Sequence, residues 1–250
     1  MEKIVCIILA AGKGTRMKSN IPKVAFNFMG KPLICHVIKI AKELNSSLIS
    51  LVVGYKQEVV RKIVGKEENI HFTVQKHQLG TGDAVKQGLN VLSGFKGNIL
   101  ILYGDVPLIK KQTLQKLIKK HNKGGFACTL LTTKLPNPAS YGRVVIDKNS
   151  NVERIVEAKD ATKEEQKINE INSGIYCFDS FALFNNIGKI KNNNKQREFY
   201  LTDMVKIFKD IGLKVGRVCI KNSWEVEGIN SIQELKILEN KMQLDNNKKY

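Results

Sequence analysis

Lys13, Arg16 and Lys23 place three cations within eleven residues, around the turn Leu9-Ala10-Ala11-Gly12-Lys13-Gly14-Thr15-Arg16-Met17 and the Pro22-Lys23 pair that follows it. Gly12 and Gly14 are read as positions of positive φ, where backbone can approach a ligand with no Cβ in the way. Bare N–H groups in such a turn form an anion-binding nest. Three cations exceed what one phosphate needs, so the expected guest is a polyphosphate. The spacing excludes two common phosphate loops. Gly12-Lys13 is followed by Gly14, which breaks the Gly-x4-Gly-Lys-Ser/Thr pattern, and Met17 stands where a dinucleotide fingerprint needs its third glycine.

A second group centres on Asp105, in Tyr103-Gly104-Asp105-Val106-Pro107-Leu108. A carboxylate at a strand end, beside a glycine read as leaving room for a ligand, is a hard oxygen donor. It suits Mg2+, which takes one or two protein carboxylates plus substrate phosphates. The same carboxylate could instead bond N–H groups of its own turn. Gln75 offers an amide donor and acceptor to the edge of a pyrimidine. Gly80 and Gly82, on either side of Thr81, are read as letting backbone approach a flat base, with a helix N-terminus directed toward phosphate. Gly142 in Tyr141-Gly142-Arg143, Glu157 after a strand and Asn172 before one could grip a sugar. As isolated patterns these are equally those of ordinary loops. Asn230, in Glu225-Val226-Glu227-Gly228-Ile229-Asn230, could be a second metal ligand or a helix cap.

Alternating elements must position these groups. Apolar runs and turn residues predict strands at Ile4–Leu9, Leu48–Val53, His71–Gln75 and Ile99–Leu102. Helices are predicted between them at Pro32–Leu44, Gln57–Val64, Asp83–Leu92 and Gln112–His121. Such alternation predicts an α/β fold with a doubly wound, mostly parallel, Rossmann-like sheet. Its ligand crevice lies at the carboxyl ends of the strands, where the glycine turn and Asp105 would meet. The second half is richer in strands: Ala127–Thr132, Val144–Ile146, Val152–Val156, Gly174–Phe178 and Val215–Ile220. It is read as extending the sheet and facing the second substrate. A helix is expected from Ser231, with a frayed polar tail at Asp245–Lys249. The division is residues 1–230 as the chemical domain and 231–250 as a helical arm with its tail.

Composition narrows the classes. The 250 residues are 42% hydrophobic, enough for one large α/β domain. Five cysteines without a C-x-x-C pair point to a reducing compartment, not a disulfide framework or zinc site. No signal peptide or membrane span is read, so a cytoplasmic location and no membrane partner are expected. The net charge of +18 raises nucleic-acid binding. Yet lysines are spread along the chain, and those of 110–120 lie opposite Leu114, Leu117 and Ile118. A solvated face that helps to draw in anions is therefore expected, with no specific nucleic-acid partner.

Leu-Ala-Ala-Gly-x-Gly-Thr-Arg-Met followed by Pro-Lys resembles the signature of nucleotidyltransferases that make nucleotide sugars. Gln78–Gly82, Leu102–Leu108, Tyr141–Arg143, Ile155-Val156-Glu157, Lys159–Thr162, Glu170–Gly174 and Glu225–Asn230 are narrower. They resemble the uridylyltransferase domain of bacterial N-acetylglucosamine-1-phosphate uridylyltransferases, from Lys3 to about Glu239. The resemblance implies transfer of UMP from UTP to N-acetylglucosamine 1-phosphate, releasing pyrophosphate and supplying cell-envelope precursors. It implies that Leu9, Ala10, Ala11, Gly12 and Gln75 hold uridine and that Gly80 and Thr81 complete the base pocket. Tyr103 and Gly104 would line the nucleotide side. Lys13, Arg16 and Lys23 would hold phosphates, Arg16 and Lys23 acting in catalysis with Asp105. Gly142, Glu157 and Asn172 would bind the sugar, and Asp105 with Asn230 would bind Mg2+, Asn230 also touching substrate. Two departures stand out. The chain carries no hexapeptide repeats of the acetyltransferase β-helix, so no acetyl transfer is expected of it. Lys23-Val24-Ala25-Phe26 replaces the commoner Lys-Val-Leu-His.

Overall fold

The computed structural model describes residues 3–247. Among the described residues eleven strands and seven α-helices follow in chain order. The first half holds β1 (Ile4–Ala10), β2 (Asn27–Phe28), β3 (Lys31–Pro32), α1 (Leu33–Glu43), β4 (Ile49–Val53), α2 (Gln57–Val64), β5 (Ile70–Val74), α3 (Thr81–Leu89), β6 (Asn98–Tyr103) and α4 (Lys111–Gly124). The second half holds β7 (Cys128–Lys134), β8 (Arg143–Ile146), β9 (Val152–Val156), β10 (Glu170–Asp179), α5 (Ser180–Asn186), α6 (Asp203–Asp210), β11 (Val215–Ile220) and α7 (Ile232–Asn247). The helix α7 takes in Asp245–Asn247 of the expected polar tail, and the rest of that tail lies outside the described residues.

The main sheet runs β11-β7-β10-β6-β1-β4-β5, with β8 and β9 joined through β10. β1 lies parallel to both β4 and β6, so it is buried on both faces, as its apolar run requires. The doubly wound, mostly parallel expectation is met with one insertion: β10 runs antiparallel between β6 and β7. Two apolar layers sandwich the sheet. One gathers Ile7, Val85 and Phe208, the other Ile8, Val37 and Leu117. No helix among the described residues is long and apolar enough to cross a membrane.

Several local expectations are corrected. β10 begins at Glu170, four residues before the predicted strand, so Asn172 and Ser173 lie inside it. Their polarity is absorbed locally, for Ser173 Oγ donates to the Leu131 carbonyl at 2.6 Å. Pairing with β7 shifts register between Asn172 and Tyr176, which hides the strand period. The helices α5 and α6 were not expected. The first starts on Asp179, whose carboxylate accepts from Ala182 N–H at 2.8 Å. The second buries Met204, Val205 and Phe208.

The lysine-rich α4 does present a solvated face. Lys116, Lys119 and Lys120 are exposed, while Leu114, Leu117, Ile118 and His121 are buried. His121 Nδ1 lies 3.0 Å from Thr129 Oγ1 on β7. Burial holds the His121 pKa down to about 4, with Asp179 pulling weakly the other way. The folded protein thus keeps a neutral imidazole where the unfolded chain, with a pKa near 6.5, takes up a proton. Stability is expected to fall as pH drops from about 6.5 to 4, by about 3 kcal/mol at the lower end. Urea unfolding across that range should show a shallower pH slope for His121→Gln; equal slopes would contradict the assignment.

Candidate active site

The carboxyl ends of β1 and β6 meet, as the paired motifs required. Gly104 N–H donates to the Leu9 carbonyl at 3.0 Å. Beyond that point lies a cavity of about 640 Å³ whose lining includes Arg16, Thr81, Tyr103, Asp105, Gly142, Glu157, Asn172 and Asn230. Eight predicted site residues from seven separate segments therefore surround one space.

The cationic turn is built on Met17, which is 1% exposed and anchors a single 3-10 turn over Thr15–Met17. Gly14 sits at φ 62, and a Cβ there would lie 2.6 Å from Lys23 Cβ. Gly14 thus lets the loop fold back on Pro22-Lys23. Gly12 does not take positive φ; its Cβ direction is open space. Lys13 and Arg16 project as exposed cations, with no hydrogen-bond or ion-pair partner among the described residues. The side chains of Leu9, Ala10 and Ala11 belong to the core, so only their backbone is available to a ligand.

Lys23 is placed differently. Its ammonium forms an ion pair with Asp105 Oδ2 and donates to Asn230 Oδ1 at 2.8 Å. Asp105 is 8% exposed, so its charge needs a counter-ion. Asn230 is set by its neighbours: its N–H donates to Glu234 Oε2 at 2.7 Å and its Nδ2 to the Gly228 carbonyl at 2.9 Å. Asn230 is therefore not the side-chain cap of α7; Ser231 Oγ accepts from Glu234 N–H at 3.1 Å and does that work. Two hard oxygens, one charged, converge on a single cation. That donor set fits Mg2+, whose remaining positions go to phosphate and water. Among the described residues no trio of Asp, Glu, His or Cys is arranged for a metal, so such a site rests on these two. Gly104 makes room for the core and not for a ligand, since a Cβ there would lie 3.0 Å from both Ile34 and Val24.

The opposite wall carries the sugar candidates. Glu157 Oε1 accepts from Thr202 Oγ1 at 3.0 Å. Burial holds the Glu157 carboxyl above the usual range, Thr202 pulls it down, and nearby Asp203, Asp160 and Glu198 push it up. Asn172 Nδ2 donates to Tyr176 OH at 2.6 Å and its Oδ1 accepts from Gly174 N–H at 3.2 Å. Its backbone N–H reaches the Gly142 carbonyl at 2.9 Å, which ties two predicted sugar residues together. Burial raises the Tyr103 hydroxyl pKa, helped by Glu157 and Asp105, so the phenol stays neutral. Arg143 is no ligand: it is buried and donates to the carbonyls of Tyr141 and Ala139, fixing the rim.

The base-side expectation is corrected in part. Gly80 and Gly82 do not open toward a flat base. A Cβ at Gly80 would meet the Phe199 carbonyl at 2.6 Å and one at Gly82 would meet it at 2.9 Å. Both make room for the 198–199 backbone, with Gly82 N–H donating to the Phe199 carbonyl at 2.7 Å. Gln75 is 4% exposed and does not line the main cavity. Thr202 and Tyr141 also line the cavity; Thr202 was missed because it lies in an unassigned stretch, with a following amphipathic helix as the only signal.

Thr202→Val removes the hydroxyl that stabilises ionised Glu157, so the Glu157 pKa should rise further. Carboxyl 13C titration by NMR checks this, and an unmoved midpoint would contradict the contact.

The nucleotidyl transferase family model matches residues 5–226. The bifunctional protein GlmU of Clostridium novyi is 43% identical over 244 residues, covering 98% of this chain and 53% of that protein. Its namesake in Caldicellulosiruptor saccharolyticus is 44% identical over 250 residues, covering 100% and 54%. That of Geotalea daltonii is 45% identical over 239 residues, covering 94% and 51%. The chain spans about half the length of these curated relatives. Among solved structures, UDP-glucose pyrophosphorylase in complex with UDP-glucose superposes with a TM-score of 0.78 at 18% identity, covering 98% of this chain and 100% of that one. An apo UDP-glucose pyrophosphorylase gives 0.79 at 18% identity, also covering 98% of this chain and 100% of that one. At that identity the likeness is one of fold. With the family model covering most of the chain and the phosphate-type turn meeting Asp105 at the strand ends, the chain belongs to the nucleotidyl transferase family.

Proposed function

We infer that the chain transfers UMP from UTP to N-acetylglucosamine 1-phosphate, giving UDP-N-acetylglucosamine and pyrophosphate. The observation that carries this reading is the convergence of Lys23, Asp105 and Asn230 at one end of a cavity whose far wall is Gly142, Glu157 and Asn172. The 43–45% identity to proteins named GlmU supports it.

An oxygen of the sugar phosphate attacks the α-phosphorus of UTP in line. A new P–O bond forms, the bond to the β-phosphate bridge breaks, and pyrophosphate departs with the electron pair. The nucleophile is already an oxyanion, so no general base is required. Charge neutralisation and positioning then carry catalysis. The cavity lining itself includes the carboxylates Asp105, Glu157, Glu227 and Glu234 beside one cation, Arg16. Two anionic substrates therefore depend on added positive charge. Lys23 Nζ, here paired with Asp105 and Asn230, would supply one such charge to the α-phosphate once those oxygens hold a metal, and Lys13 and Arg16 serve the outer phosphates. Asp105 and Asn230 would hold Mg2+, which when bound offsets phosphate charge and orients the oxygens. Glu157 and Asn172 orient the sugar hydroxyls and acetamido group so that its phosphate faces the nucleotide.

Pyrophosphate release from UTP should be strong with N-acetylglucosamine 1-phosphate and weak with glucosamine 1-phosphate or glucose 1-phosphate. Release only with glucose 1-phosphate would replace the sugar assignment by that of a related nucleotidyltransferase. Silence with all three would favour a non-catalytic sensor. Asp105→Ala should abolish turnover while unfolding stays cooperative. Near-normal kcat at saturating Mg2+ would sink the metal assignment.

A further inference from the structure

Gln75 is held by an arrangement that leaves its amide one orientation. Its Nε2 donates to the Gly80 carbonyl at 3.0 Å and to Asp83 Oδ2 at 2.8 Å. Both partners are acceptors only, since a carbonyl and an ionised carboxylate carry no proton to give. Turning the amide over would set Oε1 against two oxygens, so the usual O/N ambiguity of a glutamine is settled by chemistry. Both N–H bonds are spent on the protein. Oε1 accepts nothing from the described residues, and it is not among the buried side-chain atoms left without a partner.

The acceptors are themselves fixed. Gly80, at φ 107, is wedged against the Phe199 backbone, where a Cβ would clash at 2.6 Å. Asp83 lies in the first turn of α3, and its other oxygen, Oδ1, accepts from Gln87 Nε2 at 3.2 Å. Gln75 adjoins the predicted uridine site through Gly54. A Cβ on Gly54 would lie 2.8 Å from the Ala11 carbonyl and 3.1 Å from that of Gln75.

We propose that Asp83 is a specificity-determining positioning residue, which locks Gln75 as a pure hydrogen-bond acceptor and so selects a pyrimidine carrying an imide N–H. The inference rests on the reading that Gln75 faces the base of UTP. Uracil has one donor on its pairing edge, N3–H, so a fixed Oε1 must take it. Cytosine in the same register brings the N3 lone pair against Oε1, and no flip of the amide relieves the clash. A site built on a committed polar group rejects a mismatched partner more strongly than an adaptable one does.

The test compares kcat/KM for UTP, dUTP and CTP, each with N-acetylglucosamine 1-phosphate, in wild type, Asp83→Asn and Gln87→Met. An asparagine at 83 can turn its own N–H toward Gln75, which makes the flipped amide tolerable. The UTP-to-CTP ratio should fall about tenfold in Asp83→Asn, the worth of one charge-assisted hydrogen bond, and less in Gln87→Met. The UTP-to-dUTP ratio should not move, because the base edge is the same. A role for Asp83 confined to the helix start would lower all three substrates together and keep both ratios. An unchanged UTP-to-CTP ratio in both variants, with UTP still the wild-type substrate, would overturn the inference alone. Failure of the wild type to use UTP would overturn the uridine reading and this inference with it.

Discussion

The Lys23 ammonium, caught between the Asp105 carboxylate and the Asn230 amide oxygen, joins three stretches of chain that share no local structure. Asp105 ends the central β6–β1 region, Lys23 ends the cationic loop, and Asn230 opens α7. A carboxylate this far from water is unfavourable unless paired, and removing one partner of such a pair is worth about 3–5 kcal/mol. The loop therefore cannot drift from the strand ends without exposing or stranding a charge. The helix α7 is drawn in by the same junction. Asn230 is braced by Glu234, Ile229 N–H donates to the Asp105 carbonyl at 2.9 Å, and Ile229, Leu235 and Leu238 pack with Phe28 and Leu33.

That junction also sets the polarity of the cavity. Cations gather at the end nearest the glycine turn, while acceptors and amides occupy the wall built by β8, β9 and β10. Antiparallel β10 is what brings the second wall close. Inserted between β6 and β7, it carries Gly174 against the Tyr103 ring, and the hydrogen bond from Asn172 N–H to the Gly142 carbonyl pulls the β8 end to the rim. Arg217 completes the fastening by donating to both oxygens of buried Glu170 at 2.6 and 2.7 Å.

The overall charge of +18 acts on a different scale. It is spread along the chain, on loops and on helix faces such as α4, whereas the cavity lining is rich in carboxylates. A diffuse positive field raises the local concentration of anions and the encounter rate but cannot choose among them. On the proposed reading, choice would fall to groups held in few conformations, such as buried Gln75 and Asn172 and the half-buried Glu157.

The sequence alone determined the strand–helix alternation, the burial of β1, and the meeting of Gly12–Lys23 with Asp105. These follow from apolar periodicity and from the rule that a parallel sheet gathers its loops at one edge. It also named eight of the residues that line the cavity, because their motifs are contiguous and chemically pointed. Only the tertiary structure decided what each polar group has left to offer. Gly80, Gly82 and Gly104 make room for neighbouring protein, where the sequence suggested room for a ligand, because clearance depends on partners distant along the chain. Asp83 and Thr202 entered for the same reason: each matters through a single hydrogen bond to a residue in another element. Hydrogen-bond supply is a property of assembled neighbours. A residue's type states what it could donate or accept, and packing decides which of those bonds is already taken.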